Sequence, residues 1–256
     1  MKPASPCGTP MPIRPHRLRR RTISYLVLAT LVAFCGGLLH SVESRGQAGH
    51  ERHGEQGQGR HGNPADLKAY LEHLDSPERD KTQLPSDVIR VLGLKPGMAV
   101  ADLGSGSGYF TRRLAEAVTD EGLVYAVDVE PELLAYVKES FEHVHEPHRV
   151  EYILADPDHP KLKTESVDLI FLCNVAHHIP NRGTYFANLA SALKSGGRIA
   201  IIDFYHDARS GDLGFPKGHL VSREKILTEM ANAGYRLIRE HGFLPRQYFL
   251  EFAPAH

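Results

Sequence analysis

The chain has 256 residues, 41% of them hydrophobic and 24% charged, which suits one globular domain with a sizeable core and leaves little room for a second. The formal charge of −1 hides two unlike parts: residues 1–21 carry six bases and no acid, whereas from Pro64 onward 28 acids outnumber 21 bases. A body that acidic is ill suited to gripping phosphate backbones, so no nucleic acid is expected as substrate or partner.

The basic stretch Arg14 to Arg21 runs into Ile23 to Leu39, 17 residues without a charge. That is slightly long for a signal-peptide core and slightly short for a comfortable membrane span, and the flanks do not suit a buried core helix. Two readings stay open for residues 1–43: a cleaved export signal, with Gly46-Gln47-Ala48 as a weak cleavage site, or an N-terminal membrane anchor. Positive charge ahead of the apolar run places the body on the far side of the membrane. Residues 44–63 are polar, rich in Gly, Gln, His and Arg, and are expected to form a disordered linker with solvated histidines.

From Pro64 the pattern becomes that of a folded domain, 64–256. Pro64 to Asp75 places Leu67, Tyr70, Leu71 and Leu74 at helical spacing, and a second helix is predicted from the cap Ser86 to Leu94. Lys95-Pro96-Gly97 delivers the chain into Val100 to Leu103, an apolar strand interrupted by Asp102. Gly104, Gly106 and Gly108 follow, and then a helix with Phe110, Leu114 and Ala117 on one face. Strands are next predicted over Leu123 to Val129, Arg149 to Leu154, Val167 to Cys173 and Arg198 to Asp203. Helices alternate with them, from Glu130 to Phe141, from Asn181 to Leu193 and from the cap Ser222 to Ala233, with Gly196-Gly197 as a turn. Tyr235 to His241 and Arg246 to Phe252 read as a closing hairpin. The fold class is therefore α/β, a doubly wound sheet with right-handed crossovers. Ligands of such sheets bind beyond the carboxyl ends of the strands, which selects Gly104 to Gly108, Asp128, Asp156 and Cys173 to His178.

A glycine loop between strand and helix lets backbone N–H groups approach a ligand closely. Asp128, at the end of the second strand and 24 residues beyond Gly104, is placed to accept hydrogen bonds from ribose hydroxyls. A dinucleotide fingerprint, G-x-G-x-x-G, needs glycine at position 109, where Tyr109 stands. This departure, with the acid Asp102 just before the loop, disfavours an NAD-dependent oxidoreductase and suits a cofactor with a cationic amino-acid moiety.

The segments DLGSGSG, YAVDVE, ADPDHPKL, DLIFLCNVAHHI and LKSGGRIAIIDF resemble, in that order, the motifs of class I S-adenosylmethionine (SAM)-dependent methyltransferases. The resemblance covers roughly Pro64 to Ala253 and is nearest the small-molecule branch related to ubiquinone/menaquinone-biosynthesis methyltransferases. It implies a seven-stranded sheet with a C-terminal antiparallel hairpin, and SAM as the cofactor. It further implies that Gly104, Gly106 and Gly108 line the methionine and ribose, with Asp102 near the amino group. Asp128 would hold the ribose, Asp156 would meet the adenine amino group with Pro157 near the ring, and Asn174 with Val175 would line the sulfonium side.

Methyl transfer from a sulfonium is a displacement in which the protein aligns the partners and, where needed, removes a proton. His177 and His178 follow the fourth strand and are the candidate general bases; packing or helix capping is their bland alternative. Phe204, Tyr205 and His206 are candidate acceptor-pocket walls, and His219 is a weaker candidate. Cys7, Cys35 and Cys173 make no disulfide framework, and no Cys/His spacing matches a zinc site, so no metal is expected. With Cys173 the only thiol of the body, an arsenite acceptor is disfavoured, and the (N/D)-P-P-(Y/F) signature of DNA and amide-nitrogen methyltransferases is missing at Asn174 to His177. The expected acceptor is a small molecule or a lipid. An exported or membrane-anchored SAM-binding protein without turnover is the alternative.

Overall fold

Elements are given for a computed structural model that describes residues 67–142, 148–213 and 216–255. The export signal or anchor, the linker and Pro64 lie outside the described residues.

Three short helices, α1 (Leu67–Leu74), α2 (Glu78–Gln83) and α3 (Pro85–Leu92), precede the first strand, β1 (Ala99–Leu103). Then follow α4 (Tyr109–Val118), β2 (Leu123–Asp128), α5 (Pro131–Glu142), β3 (Val150–Leu154) and β4 (Val167–Cys173). The chain closes with α6 (Arg182–Leu189), β5 (Leu193–Phe204), α7 (Arg223–Asn232), β6 (Tyr235–His241) and β7 (Gln247–Pro254). The strands form one seven-stranded sheet in the order β3-β2-β1-β4-β5-β7-β6. The neighbours from β3 to β5 pair in parallel, and β7 runs antiparallel to both β5 and β6. This is the doubly wound sheet with a terminal hairpin that the alternation predicts.

Burial on both faces explains why the central strands read as unbroken apolar runs. Ala99, Ala101 and Leu103 of β1 share a core with Tyr185, Phe186 and Leu189 of α6 and with Ile226 and Met230 of α7. On the other face, Val100 packs with Val88 and Leu92 of α3 and with Phe110, Leu114 and Val118 of α4. Strand order reverses between β1 and β4, so the ends of β1, β2 and β4 open onto one crevice.

Four features differ from what the sequence predicts. Helix α2 is absent from it; the Ser76 hydroxyl accepts from the Glu78 N–H and Pro77 pre-sets the first turn, signals too short to show periodicity. Helix α3 starts at Pro85, one residue before the predicted cap, because Leu84 turns into a left-handed conformation with φ of 43°. The helix predicted to reach Leu193 ends as α-helix at Leu189 and tightens into a single 3₁₀ turn, Ala190–Ala192. Gly196-Gly197 then lies inside β5 as an irregularity: Leu193 pairs with Val167, and pairing resumes with Arg198 against Leu169. Glycines there make a bulge where a turn was expected.

Candidate active site

At the end of β1 the chain turns sharply over the end of β2. The N–H groups of Gly104 and Ser105 both donate to the Val127 carbonyl, at 2.8 and 3.1 Å. Gly104 has φ of +71°, and a Cβ there would lie 2.3 Å from a Val175 methyl. Only glycine takes this turn without strain and lets the segment after β4 press directly on the loop. Gly106 donates its N–H to Asp128 Oδ2 at 2.9 Å, and Gly108 stands at the N-cap of α4.

Asp128 is buried at the end of β2, and its other oxygen, Oδ1, accepts from the Glu130 N–H at 3.1 Å. Burial raises its pKa against the opposing pull of these backbone bonds. A carboxylate has about four acceptor positions, so these backbone bonds leave capacity for a ligand hydroxyl. Beside it, the Ser105 hydroxyl oxygen is buried and has no hydrogen-bond partner among the described residues, so it is available to a polar ligand.

The other predicted residues divide. Asp102 is turned toward α4, where its Oδ2 accepts from the Thr111 hydroxyl at 2.6 Å. It is 3% exposed, and burial pushes its pKa up to about 7. Its visible contact is thus a side-chain hydrogen bond to the first turn of α4, whose N-cap is Gly108. Asp156 is exposed beyond β3 and pairs with Lys161 Nζ at 2.7 Å. Asn174 follows β4 with φ of 60°, and its Oδ1 accepts from Gln247 Nε2 at 2.6 Å. The fold brings Asp102, Asp128, Asn174 and the three glycines to one crevice and leaves the Asp156 carboxylate at its rim.

A cover over this crevice comes from residues that sequence reasoning missed. Asp75, just after α1, accepts from the Ser107 hydroxyl and from Arg112, both at 2.7 Å, and from the Tyr136 hydroxyl at 2.9 Å. These bonds pin α1 onto the glycine loop, with Leu74 beside Gly106. Tyr70 of α1 sits close enough to Asp128 and Glu130 for their charges to add to burial in raising its pKa. The partners of Asp75 lie 32 to 61 residues away, so no local spacing could reveal it.

The second half of the site follows β4. His177 is buried, and its N–H donates to Asp203 Oδ2 at 3.1 Å. Its ring Nδ1 lies 2.7 Å from Oδ1 of Asp203, which is itself 0% exposed at the end of β5. A carboxylate on Nδ1 favours the tautomer that carries its hydrogen on Nδ1. His178 is exposed, and its Nδ1 lies 3.4 Å from Nε2 of His219, on a 3₁₀ turn 41 residues later. His177, His178, Pro216 and His219 line a pocket of about 400 Å³. Tyr205, expected in a pocket wall, packs under Arg209 at 3.6 Å and against Tyr248. His219, the weaker candidate by sequence, stands in the pocket.

Fold and loop together define a class I SAM-dependent methyltransferase domain. A family model described as a methyltransferase domain matches residues 101–201. A SAM-dependent methyltransferase from Aquifex aeolicus superposes with a TM-score of 0.67 at 27% identity, over 72% of this chain and 96% of that one. The arsenite methyltransferase of Halobacterium salinarum is 31% identical over 115 residues, 45% of this chain and 29% of that protein. The ubiquinone/menaquinone biosynthesis C-methyltransferase of Shewanella pealeana is 25% identical over 116 residues, 45% of this chain and 46% of that one. The chain thus spans less than half the length of these two curated relatives. It carries a class I methyltransferase domain related to that of the ubiquinone/menaquinone C-methyltransferases, and its cofactor is SAM. The cradle fits: a loop with no Cβ at Gly104, an unpartnered Ser105 hydroxyl and a carboxylate with spare acceptor positions. Among the described residues no helix is long and apolar enough to cross a membrane; Ile23 to Leu39 lies outside them.

Proposed function

We propose that the chain methylates a small-molecule or lipid acceptor bound in the pocket of His177, His178 and His219. One observation carries this reading: Val175 packs on Gly104, so the cofactor loop and the histidine segment are immediate neighbours. SAM, when bound, supplies a methyl group on a cationic sulfur. The chain's own residues do the rest. Gly104, Gly106 and Gly108 admit the methionine and ribose, Asp128 accepts from the ribose hydroxyls, and Asn174, held by Gln247, stands on the sulfonium side. Asp156 reaches the adenine amino group from the rim, exchanging its contact with Lys161. On the acceptor side, Asp203 fixes the His177 ring so that a basic nitrogen, Nε2, is held ready beside the acceptor.

Orientation and desolvation are the chain's main contribution, since a displacement at a sulfonium methyl needs alignment more than covalent help. The acceptor chemistry is bounded by two absences in the sequence. Cys173 is the only cysteine from Pro64 onward, and burial pushes its thiol pKa up, so that part of the chain offers no set of thiolates to hold arsenite. The amide-nitrogen signature is missing at Asn174 to His177. The apolar Ile23 to Leu39 run supports an N-terminal anchor or export signal, with the body on the far side of the membrane by the charge rule.

Methyl transfer is tested by incubating the full-length chain in detergent with methyl-labelled SAM and panels of quinols, phenols, amines and membrane lipids. Label in an organic product supports the reading. Tight SAM binding with no product in any panel would favour a binding protein without turnover. A reporter fused after Leu39 reads which side of the membrane the body occupies; a cytoplasmic signal would overturn the topology.

A further inference from the structure

The three histidines of the pocket have a geometry that a proton-accepting role leaves unexplained. One nitrogen from each of His177, His178 and His219 lies within 4.8 Å of the other two. For His178 Nδ1 and His219 Nε2 the separation is 3.4 Å. Two imidazole nitrogens, each ~2.0–2.1 Å from a tetrahedral zinc ion, stand about 3.3–3.4 Å apart. One edge of a coordination tetrahedron is therefore already set, and a modest closure of the third ring completes a face.

The surroundings are those a metal site requires. His177 is backed by the buried carboxylate of Asp203 at 2.7 Å, the carboxylate–histidine arrangement that fixes a ligand's tautomer and raises its basicity. His178 and His219 are exposed, so a cation has an entry path. His219 is held in place by its own loop: Lys217 Nζ donates to the Asp207 carbonyl at 2.6 Å, and the Arg246 guanidinium donates to the Ser210 and Asp212 carbonyls. A hydrogen bond between His178 and His219 would account for that pair. The His177 ring also packs on His178, with centroids 4.1 Å apart, and edge-on to His219 at 5.4 Å; ring packing brings the three together, and the buried carboxylate behind His177 adds the feature a ligand site uses.

We propose that His177, His178 and His219 bind one divalent transition-metal cation of the zinc class, with its fourth coordination position open to the pocket. Three imidazoles form a borderline-soft donor set suited to zinc, cobalt or nickel and poorly suited to magnesium or calcium. Three protein ligands with an open position are the pattern of zinc sites that act on a ligand, as opposed to closed structural sites. An oxygen or sulfur atom coordinated there would lose its proton near neutral pH. The lone pair that Asp203 fixes on His177 would then serve as a metal ligand. The site stands on its own geometry, and a cation there takes the His177 lone pair, so His177 then acts as a ligand and not as the proton acceptor.

The probe is cobalt(II), titrated into the chelator-treated full-length chain in detergent and read by its visible d–d absorption. One equivalent is expected to produce the intense bands of a four-coordinate site, and zinc should abolish them by displacement. The bands should vanish in the His178→Ala/His219→Ala double variant and persist when His40, His50, His53 and His61 are all replaced. Asp203→Asn should weaken cobalt binding roughly 10- to 100-fold. The single variant His219→Gln, at an exposed position, guards against a folding failure of the double variant and must also lose the bands. Cobalt binding that is unchanged in these variants, or that disappears with the N-terminal histidines, would overturn the proposal, as would a chain that gives no four-coordinate spectrum.

Discussion

The two halves of the crevice are built in different ways. The donor half is built mainly on backbone within residues 99–130: a glycine loop, two strand ends and an aspartate that accepts from the Gly106 and Glu130 N–H groups. The acceptor half is made of side chains gathered from three places, His177 and His178 after β4, Asp203 at the end of β5 and His219 on a distant turn. Backbone geometry tolerates little change and serves one ligand. Side chains on loops can be exchanged while the scaffold stays, which is how one fold takes many acceptors.

That contrast can be broken from the donor side first. Gly104→Val forces a β-branched residue into φ of +71° and drives its Cβ onto Val175. Stability should fall by about 2–5 kcal/mol from conformational strain and overpacking, and SAM binding should disappear in calorimetry. Adding Val175→Ala should restore part of both if the clash is the cause; an unaltered affinity in the single variant would remove the loop from the cofactor site.

Next in size is a pH effect at Asp102. Its folded pKa is raised from 3.8 to about 7, so between those values the folded chain holds a proton that the unfolded chain has lost. Stability from this group is therefore full below about pH 4 and falls as pH rises toward 7, by at most about 4 kcal/mol. Asp102→Asn should flatten that part of the profile in denaturant titrations without ligand and gain stability relative to wild type above pH 7. A parallel pair of profiles would contradict the assignment. Asp128→Ala should weaken SAM by about 1–3 kcal/mol, the scale of a buried hydrogen-bond partner removed, with calorimetry as the check. The smallest effect sharpens the comparison: His219→Gln, on the acceptor half, should leave SAM affinity within about twofold, and a loss as large as that of Asp128→Ala would mean the halves are not separable.

The same contrast explains what the sequence made legible. The glycines, Asp128 and the alternating apolar runs are local patterns, so the sheet, its hairpin and the donor loop could all be read directly. Asp75 was invisible because it acts on Ser107, Arg112 and Tyr136, whose positions only the folded α1 brings within reach. Asp203 read as a strand end; its burial behind His177 is a tertiary fact. The His219 pairing with His178 spans 41 residues, beyond any ligand spacing that a sequence scan would test. Tyr205 shows the opposite case: an aromatic after a strand reads as a pocket wall, and its contacts with Arg209 and Tyr248 are tertiary facts.

The central claim is that the loop from Gly104 to Gly108, with Asp128, selects SAM over a dinucleotide. Isothermal calorimetry of the full-length chain in detergent, with SAM, S-adenosylhomocysteine and NAD as separate titrants, tests it most directly. Saturable 1:1 heats are predicted for the first two and none for NAD; heat with NAD and none with SAM would contradict it.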